Sequence, residues 1–247
     1  LIQIMCCIAG SINGDLTTVK NMISSMRHRG PDDENFFSKE NIYLGMGRLK
    51  ILDLISDNLC LYNNEDLVLS YNGEVFNYLE IKKELISKGI KFKTTGDTEV
   101  LAKAWQFWGV KCLEKLNGMF AFSIYEKKRH KLYLVRDIAG EKPLYYYEYG
   151  NKFYFASETK ALKNILNLNY KRNNFFDSFQ HCLNSTLWKD LNQIPAAHYL
   201  EIDIKNNKKK KLVEYWKFKK KKINLKTVQE EFDELLNSSV KLRTKSD

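Results

Sequence analysis

The sequence predicts an α+β fold built on antiparallel sheets. MFAFSIYEKKRHKLYLVRD (Met119 to Asp137) and PLYYYEYGNKFYFASE (Pro143 to Glu158) each place aromatic and β-branched residues on both sides of a polar turn, the pattern of a hairpin. The helical segments group apart from these strands. Strands paired with near neighbours and helices set aside argue for antiparallel sheets rather than βαβ crossovers.

Along the chain, Leu1 to Gly10 is an apolar run that reads as a buried strand, and it contains the pair Cys6 and Cys7. A helix over Leu16 to Arg27 is opened by Asp15 and closed by Gly30 and Pro31. Ile42 to Leu54 and Leu67 to Tyr71 are strand-like. Asn77 with Glu80 forms a capping-box pattern ahead of YLEIKKELISKG, which Gly89 stops. Helices follow over Thr98 to Trp108, Lys160 to Leu166 and Asn174 to Cys182. Thr227 with Glu230 opens VQEEFDELLNSSVKLR, whose stripe of Val228, Phe232, Leu235, Leu236, Val240 and Leu242 needs something to pack against. This is read as the first helix of a second domain. The organisation expected is a domain over 5–204, a lysine-rich linker over 205–226 and that helix over 227–247.

The 247 residues, 44% of them hydrophobic, are enough to build a sizeable core. No run approaches the ~18 apolar residues of a membrane span. Leu1 to Gly10 has no basic flank and leads directly into Ser11, Asn13, Gly14 and Asp15, so it does not read as a signal peptide. Five cysteines, an odd number without a CxxC pair, argue against a disulfide framework or a zinc site and suit a reducing, cytoplasmic setting. The net charge of +10 is concentrated: Lys205 to Lys222 holds ten lysines and one acid, leaving a net charge of one on the rest. A single lysine-rich stretch with few aromatics reads as solvated chain, not as a nucleic-acid face.

A cysteine hydrolase needs a thiolate, a base and donors for an oxyanion. A GxCxG elbow is absent, and His181 and Cys182, adjacent on a helix, point in different directions. The other arrangement makes a cysteine the first residue of the mature chain, with its own α-amine as base. Methionine is removable before a small residue, so Met5 ahead of Cys6 offers that arrangement if synthesis starts at Met5.

Eight blocks then occur in order: MCCIAG, MRHRGPDD, LGMGRLKILDL, YNGEVFNYLEI, TGDTEVL, LNGMFAFSIY, LVRDIAGEKPLYYY and FASETKAL. Together they resemble the glutaminase domain of glutamine-dependent asparagine synthetases, a class II amidotransferase domain with an N-terminal nucleophile. The resemblance covers essentially the whole chain and implies an Ntn-hydrolase-like, four-layer αββα sandwich. It implies Cys6 as nucleophile, with the Asn72 side chain and the Gly73 N–H as the oxyanion hole. Arg48 would grip the α-carboxylate of glutamine and Asp97, with Glu74 nearby, its α-ammonium; Leu49, Lys50, Ile51 and Leu52 would line the pocket. It implies no cofactor for this half. ATP and Mg²⁺ would serve a C-terminal synthetase domain that receives the ammonia, and that domain's Ser-Gly-Gly-x-Asp-Ser loop is not in this sequence. Neither nucleic acid nor membrane is an expected partner, and a homodimer is left open.

Taken singly, these residues have plainer readings. Arg48 alone is a surface ion pair, Asn72-Gly73 a hairpin turn, Asp97 the N-cap of the helix at Thr98, and His28, His130, His181 and His198 structural. The sequence also departs from the family. Cys7 stands where glycine follows the nucleophile, so its side chain is expected to crowd the strand and its thiol to compete. Met46 stands for a histidine, Ile138 for an arginine, Leu59-Cys60 for Gln-Pro, and Asn35 for a glycine, as a residue tolerant of left-handed backbone. The rival to the enzyme is a non-catalytic domain that stabilises a synthetase; a lysine-mediated nucleic-acid binder ranks last.

Overall fold

The computed structural model describes residues 5–49, 60–166, 168, 186, 188–206, 209–219 and 227–243. Twelve strands are described among these residues: β1 Cys7–Ile12, β2 Asp33–Lys39, β3 Ile42–Arg48, β4 Tyr62–Asn63, β5 Leu67–Val75, β6 Gly118–Glu126, β7 Lys131–Arg136, β8 Tyr145–Tyr149, β9 Lys152–Ala156, β10 Leu191–Gln193, β11 His198–Asp203 and β12 Lys209–Glu214. They form two antiparallel sheets, ordered β10-β8-β9-β1-β3-β2 and β12-β11-β7-β6-β5-β4. The helices are α1 Leu16–Ser25, α2 Tyr78–Ser87, α3 Asp97–Trp108, α4 Thr159–Leu166 and α5 Val228–Arg243, with a 3₁₀ turn at Gly109–Glu114.

Strand alternation sorts each sheet into two faces and produces three apolar layers. From β1, Ile8 and Ile12 turn inward and meet Val68, Ala121 and Leu134 of the other sheet. Cys7 and Ala9 turn outward beneath α1 and α4, among Val19, Met22, Ile23 and Leu162. The outer face of the second sheet (Tyr71, Phe122, Val135) is covered by α2 and α3 through Leu85, Leu101 and Trp105. The arrangement is helix, sheet, sheet, helix, the expected four-layer sandwich.

Several elements differ in detail from the sequence reading. Asp15 caps α1 as expected, its Oδ1 accepting the Thr18 N–H at 2.7 Å. Asn77 occupies the N-cap of α2 without capping it; its amide instead bridges to the Lys115 carbonyl at 2.9 Å and the Asn117 N–H at 2.9 Å. Strand β5 runs on through Asn72 and Gly73 to Val75, because pairing with β6 continues to Val75↔Gly118; the Asn-Gly pair is no turn. In α5, Thr227 Oγ1 meets Glu231 Oε1 at 2.8 Å rather than Glu230.

Part of the stretch read as linker, Lys209–Glu214, pairs with β11 as the edge strand β12. Its lysines remain in solvent, which suits an edge and protects it from further pairing. The helix expected at 174–182 and the strand residues 50–54 lie outside the described residues.

Candidate active site

The site forms where the two sheets meet at the start of β1. Cys6 precedes that strand, Arg48 ends β3, and both strands pack across onto β5, which carries Asn72, Gly73 and Glu74. The Leu49 N–H donates to Cys6 Sγ at 3.4 Å, and the Leu49 carbonyl lies 3.7 Å from the same sulfur. Burial pushes this thiol above its ordinary range, while the Leu49 N–H and the Arg48 charge draw it back. Arg48 is 6% exposed, so it is not the surface ion pair its sequence context allows. Lys50, Ile51 and Leu52 lie outside the described residues.

Asn72 is 1% exposed, and neither its Nδ2 nor its Oδ1 has a hydrogen-bond partner among the described residues. A buried polar group left unpaired costs about 1–3 kcal/mol. Native interiors retain few such groups, and this one lies on β5, the strand onto which β1 and β3 pack. Gly73 beside it is required by packing: a Cβ there would lie 2.2 Å from the Met119 carbonyl oxygen and 2.6 Å from Phe120 Cα.

Asp97 is the first residue of α3, not its cap; Gly96 holds the N-cap position. One oxygen, Oδ2, serves the tertiary structure instead, accepting from Tyr71 Oη at 2.7 Å and from the Val75 N–H at 2.9 Å. Burial raises its pKa, and these donors only partly offset that. Glu74, half-buried, is raised by burial and then by the charge of Asp97, with Lys142 acting in the opposite sense. One wall of the site is thus cationic through Arg48, and another carries two carboxyls reluctant to ionise.

Arg29 was not singled out in the sequence. Its Nε donates to the Cys6 carbonyl at 3.3 Å and its Nη1 to Glu158 at 3.0 Å, while Nη2 is buried without a partner among the described residues. Glu158 also meets His28 at 3.1 Å and Lys160 at 3.2 Å. The backbone of the candidate nucleophile is therefore held by a charged network behind the sheet. In sequence, Arg29 reads only as the basic end of a helix before Gly30-Pro31.

Residues 5–216 match the family model described as "Glutamine amidotransferase domain". The chain belongs to that family. A putative asparagine synthetase [glutamine-hydrolyzing] 2 of Methanocaldococcus jannaschii is 32% identical over 98% of this chain and 53% of its own length. Asparagine synthetase [glutamine-hydrolyzing] 1 of Bacillus subtilis is 42% identical over 58% of this chain and 23% of its own. The chain thus spans about half the length, or less, of these curated relatives. Among solved structures, the glutamine phosphoribosylpyrophosphate amidotransferase of B. subtilis superposes with a TM-score of 0.65 at 19% identity, over 86% of this chain and 50% of that one, a likeness of fold. No helix among the described residues is long and apolar enough to cross a membrane.

Within this amidotransferase domain, the departures from the family pattern have plain structural outcomes. Cys7 does not crowd the site, because strand alternation turns it to the helix-facing side, fully buried. Gly47, its cross-strand partner, supplies the room: a Cβ on Gly47 would lie 2.8 Å from Cys7 Sγ. Burial pushes the Cys7 thiol up to about 12, which removes it as a competing thiolate. Cys7→Gly is expected to leave activity within twofold and to cost about 1–2 kcal/mol, from lost packing and backbone entropy, read as an earlier midpoint in denaturant; an unchanged midpoint would contradict this placement. Met46 is packed between the sheets, its sulfur accepting the Tyr71 N–H at 3.4 Å. Asn35 lies within β2, opposite Met46, and is absent from the positive-φ residues, so its tolerance of left-handed backbone is not used.

Proposed function

We propose that this domain hydrolyses glutamine to glutamate and ammonia through a thioester on Cys6, and that the ammonia serves ATP-dependent asparagine synthesis from aspartate in a C-terminal synthetase domain of the longer protein. The observation that carries the reading is the buried Asn72 amide, without a hydrogen-bond partner among the described residues, on the strand β5 against which β1 and β3 pack. In the proposed reaction the α-amine of Cys6 takes the thiol proton as sulfur attacks the carboxamide carbon. The Asn72 Nδ2–H and the Gly73 N–H stabilise the resulting oxyanion. The amine then returns the proton to departing ammonia, and water cleaves the thioester. Arg48 receives the α-carboxylate of the substrate in the planar, two-pronged geometry a guanidinium favours. Asp97 and Glu74 receive its α-ammonium. The ATP and Mg²⁺ that synthesis needs are assigned to the synthetase domain.

The test is intact-mass analysis of the protein made from its natural gene, followed by a glutaminase assay. A chain beginning at Cys6 that releases glutamate and ammonia is the expected result. A mature chain that retains residues ahead of Cys6 and leaves glutamine intact would replace this reading with the non-catalytic one.

The Asp97 carboxyl adds a pH dependence with a definite sign. Only its ionised form attracts an ammonium, and burial has raised its pKa. KM for glutamine is therefore expected to rise as pH falls through a value above the ordinary carboxylate range. In Asp97→Asn, KM is expected to be about 100-fold higher, the scale of a lost buried charged hydrogen bond, and flat over the same window. Steady-state kinetics across pH read both effects.

A further inference from the structure

Lys142 is 3% exposed, and its ammonium faces no carboxylate within ion-pair distance among the described residues. Among the described residues the ammonium has one hydrogen-bonded contact, Met5 Sδ, at 2.9 Å. A buried ammonium resting on a thioether is poorly compensated, and such groups are costly unless function retains them. The segment that carries it is unusually well fixed. Asp137 accepts the N–H groups of Phe120, Ala139, Glu141 and Lys142 at 2.9–3.2 Å. Arg136 donates to the carbonyls of Lys142, Ile194 and Gly140 at 2.9, 2.8 and 2.5 Å. Seven hydrogen bonds thus hold the RDIAGEK stretch in one shape, and what that shape presents inward is the Lys142 side chain.

The position of the contact matters because Met5 is bonded to the nitrogen of Cys6. The span of a methionine side chain puts Lys142 Nζ within about 9 Å of that nitrogen. Resting on the glutaminase reading above, we propose that Lys142 is a positioning residue that holds the α-amine of the mature Cys6 in its neutral, proton-accepting form. A nearby cation disfavours the protonated amine. Removal of Met5 takes away the thioether and leaves the ammonium facing the new amino terminus. The other charges come from every neighbouring element. Glu158 after β9 is matched by Arg29 after α1 and by Lys160 on α4, Asp137 by Arg136 at the end of β7, and Glu141 by Arg243 of α5. That leaves Glu74 on β5 and Asp97 on α3 against Arg48 on β3, so without Lys142 the surroundings would favour the ammonium form, which cannot take a proton. Burial also lowers the Lys142 pKa, with Glu141 and Asp137 supporting its charge.

The experiment uses the mature protein beginning at Cys6 and the variants Lys142→Met and Lys142→Arg. In Lys142→Met the acid limb of the kcat/KM profile for glutamine hydrolysis is expected to move up by about one pH unit, with roughly tenfold less activity on that limb. Lys142→Arg restores the limb. The pH dependence of acylation of the N-terminal amine, measured without turnover, is expected to move in step, a readout that a merely structural role leaves in place. Three results overturn the proposal: a limb and acylation curve unmoved in Lys142→Met; a KM effect alone, which reassigns Lys142 to substrate binding; or a Lys142→Arg protein that folds yet behaves like Lys142→Met. Retention of glutaminase activity by Cys6→Ala overturns the functional reading instead, so the two failures are distinguishable.

Discussion

Cys6→Ala is expected to abolish glutamine hydrolysis, lowering kcat by at least about 10⁴-fold, the scale seen when a covalent nucleophile is removed. The fold should survive, because the side chain is only partly buried and, among the described residues, hydrogen-bonds only to the Leu49 backbone. Cys6→Ser retains a nucleophilic atom of the same valence but a far less acidic one, and is expected to leave only a trace of activity. Cys7 serves as the internal control. It is an adjacent thiol, but it faces the helices and is held protonated. Activity that persisted in Cys6→Ala and vanished on further removal of Cys7 would sink the assignment of the nucleophile.

Asn72 is expected to separate stability from activity. Asn72→Ala should lower kcat by about 10²–10³-fold with KM little changed, since an oxyanion donor acts on charge that develops only in the transition state. The same change removes two buried polar atoms that have no partners among the described residues. Unpaired groups of this kind cost about 1–3 kcal/mol each, so the variant is expected to unfold no earlier than the parent in denaturant. Asn72→Leu, which fills the space with apolar atoms, should unfold later. A loss of stability in both variants would mean that the amide is satisfied in the native protein and is not poised for a substrate. The trade is a familiar one, because active sites retain local defects that the rest of the fold must offset.

Local pattern carried much of this molecule. The β6–β7 and β8–β9 hairpins follow directly from aromatic and β-branched runs flanking a polar turn, and Asp15 marks the start of α1 through its short acceptor side chain. What the sequence obscured depends on contacts between distant residues. Asn72-Gly73 resembles a turn because that pair tolerates left-handed backbone; only the pairing partner β6 keeps it extended. Asp97 resembles a cap until Tyr71 and Val75 claim its Oδ2. Edge strand β12 has no apolar alternation to betray it, since both its faces meet water or near-water. Arg29 and Lys142 carry no periodic signal at all; their significance comes from what the fold sets beside them. The direction of Cys7 was available in principle, because the two-residue period of a strand must send Cys7 and Ile8 to opposite faces.

The place of β1 in its sheet has a consequence for biosynthesis. It lies between β3 and β9, with Ala9 opposite Gly45 on one side and Ala156 on the other. A ribosome delivers β3 soon after β1 but β9 only after Ala156 has emerged, and such long-range pairing is slow to close. Through that interval β1 has one open edge. The fold thereby sets an order of assembly in which the sheet beneath the site is completed only after more than half of the chain has been made.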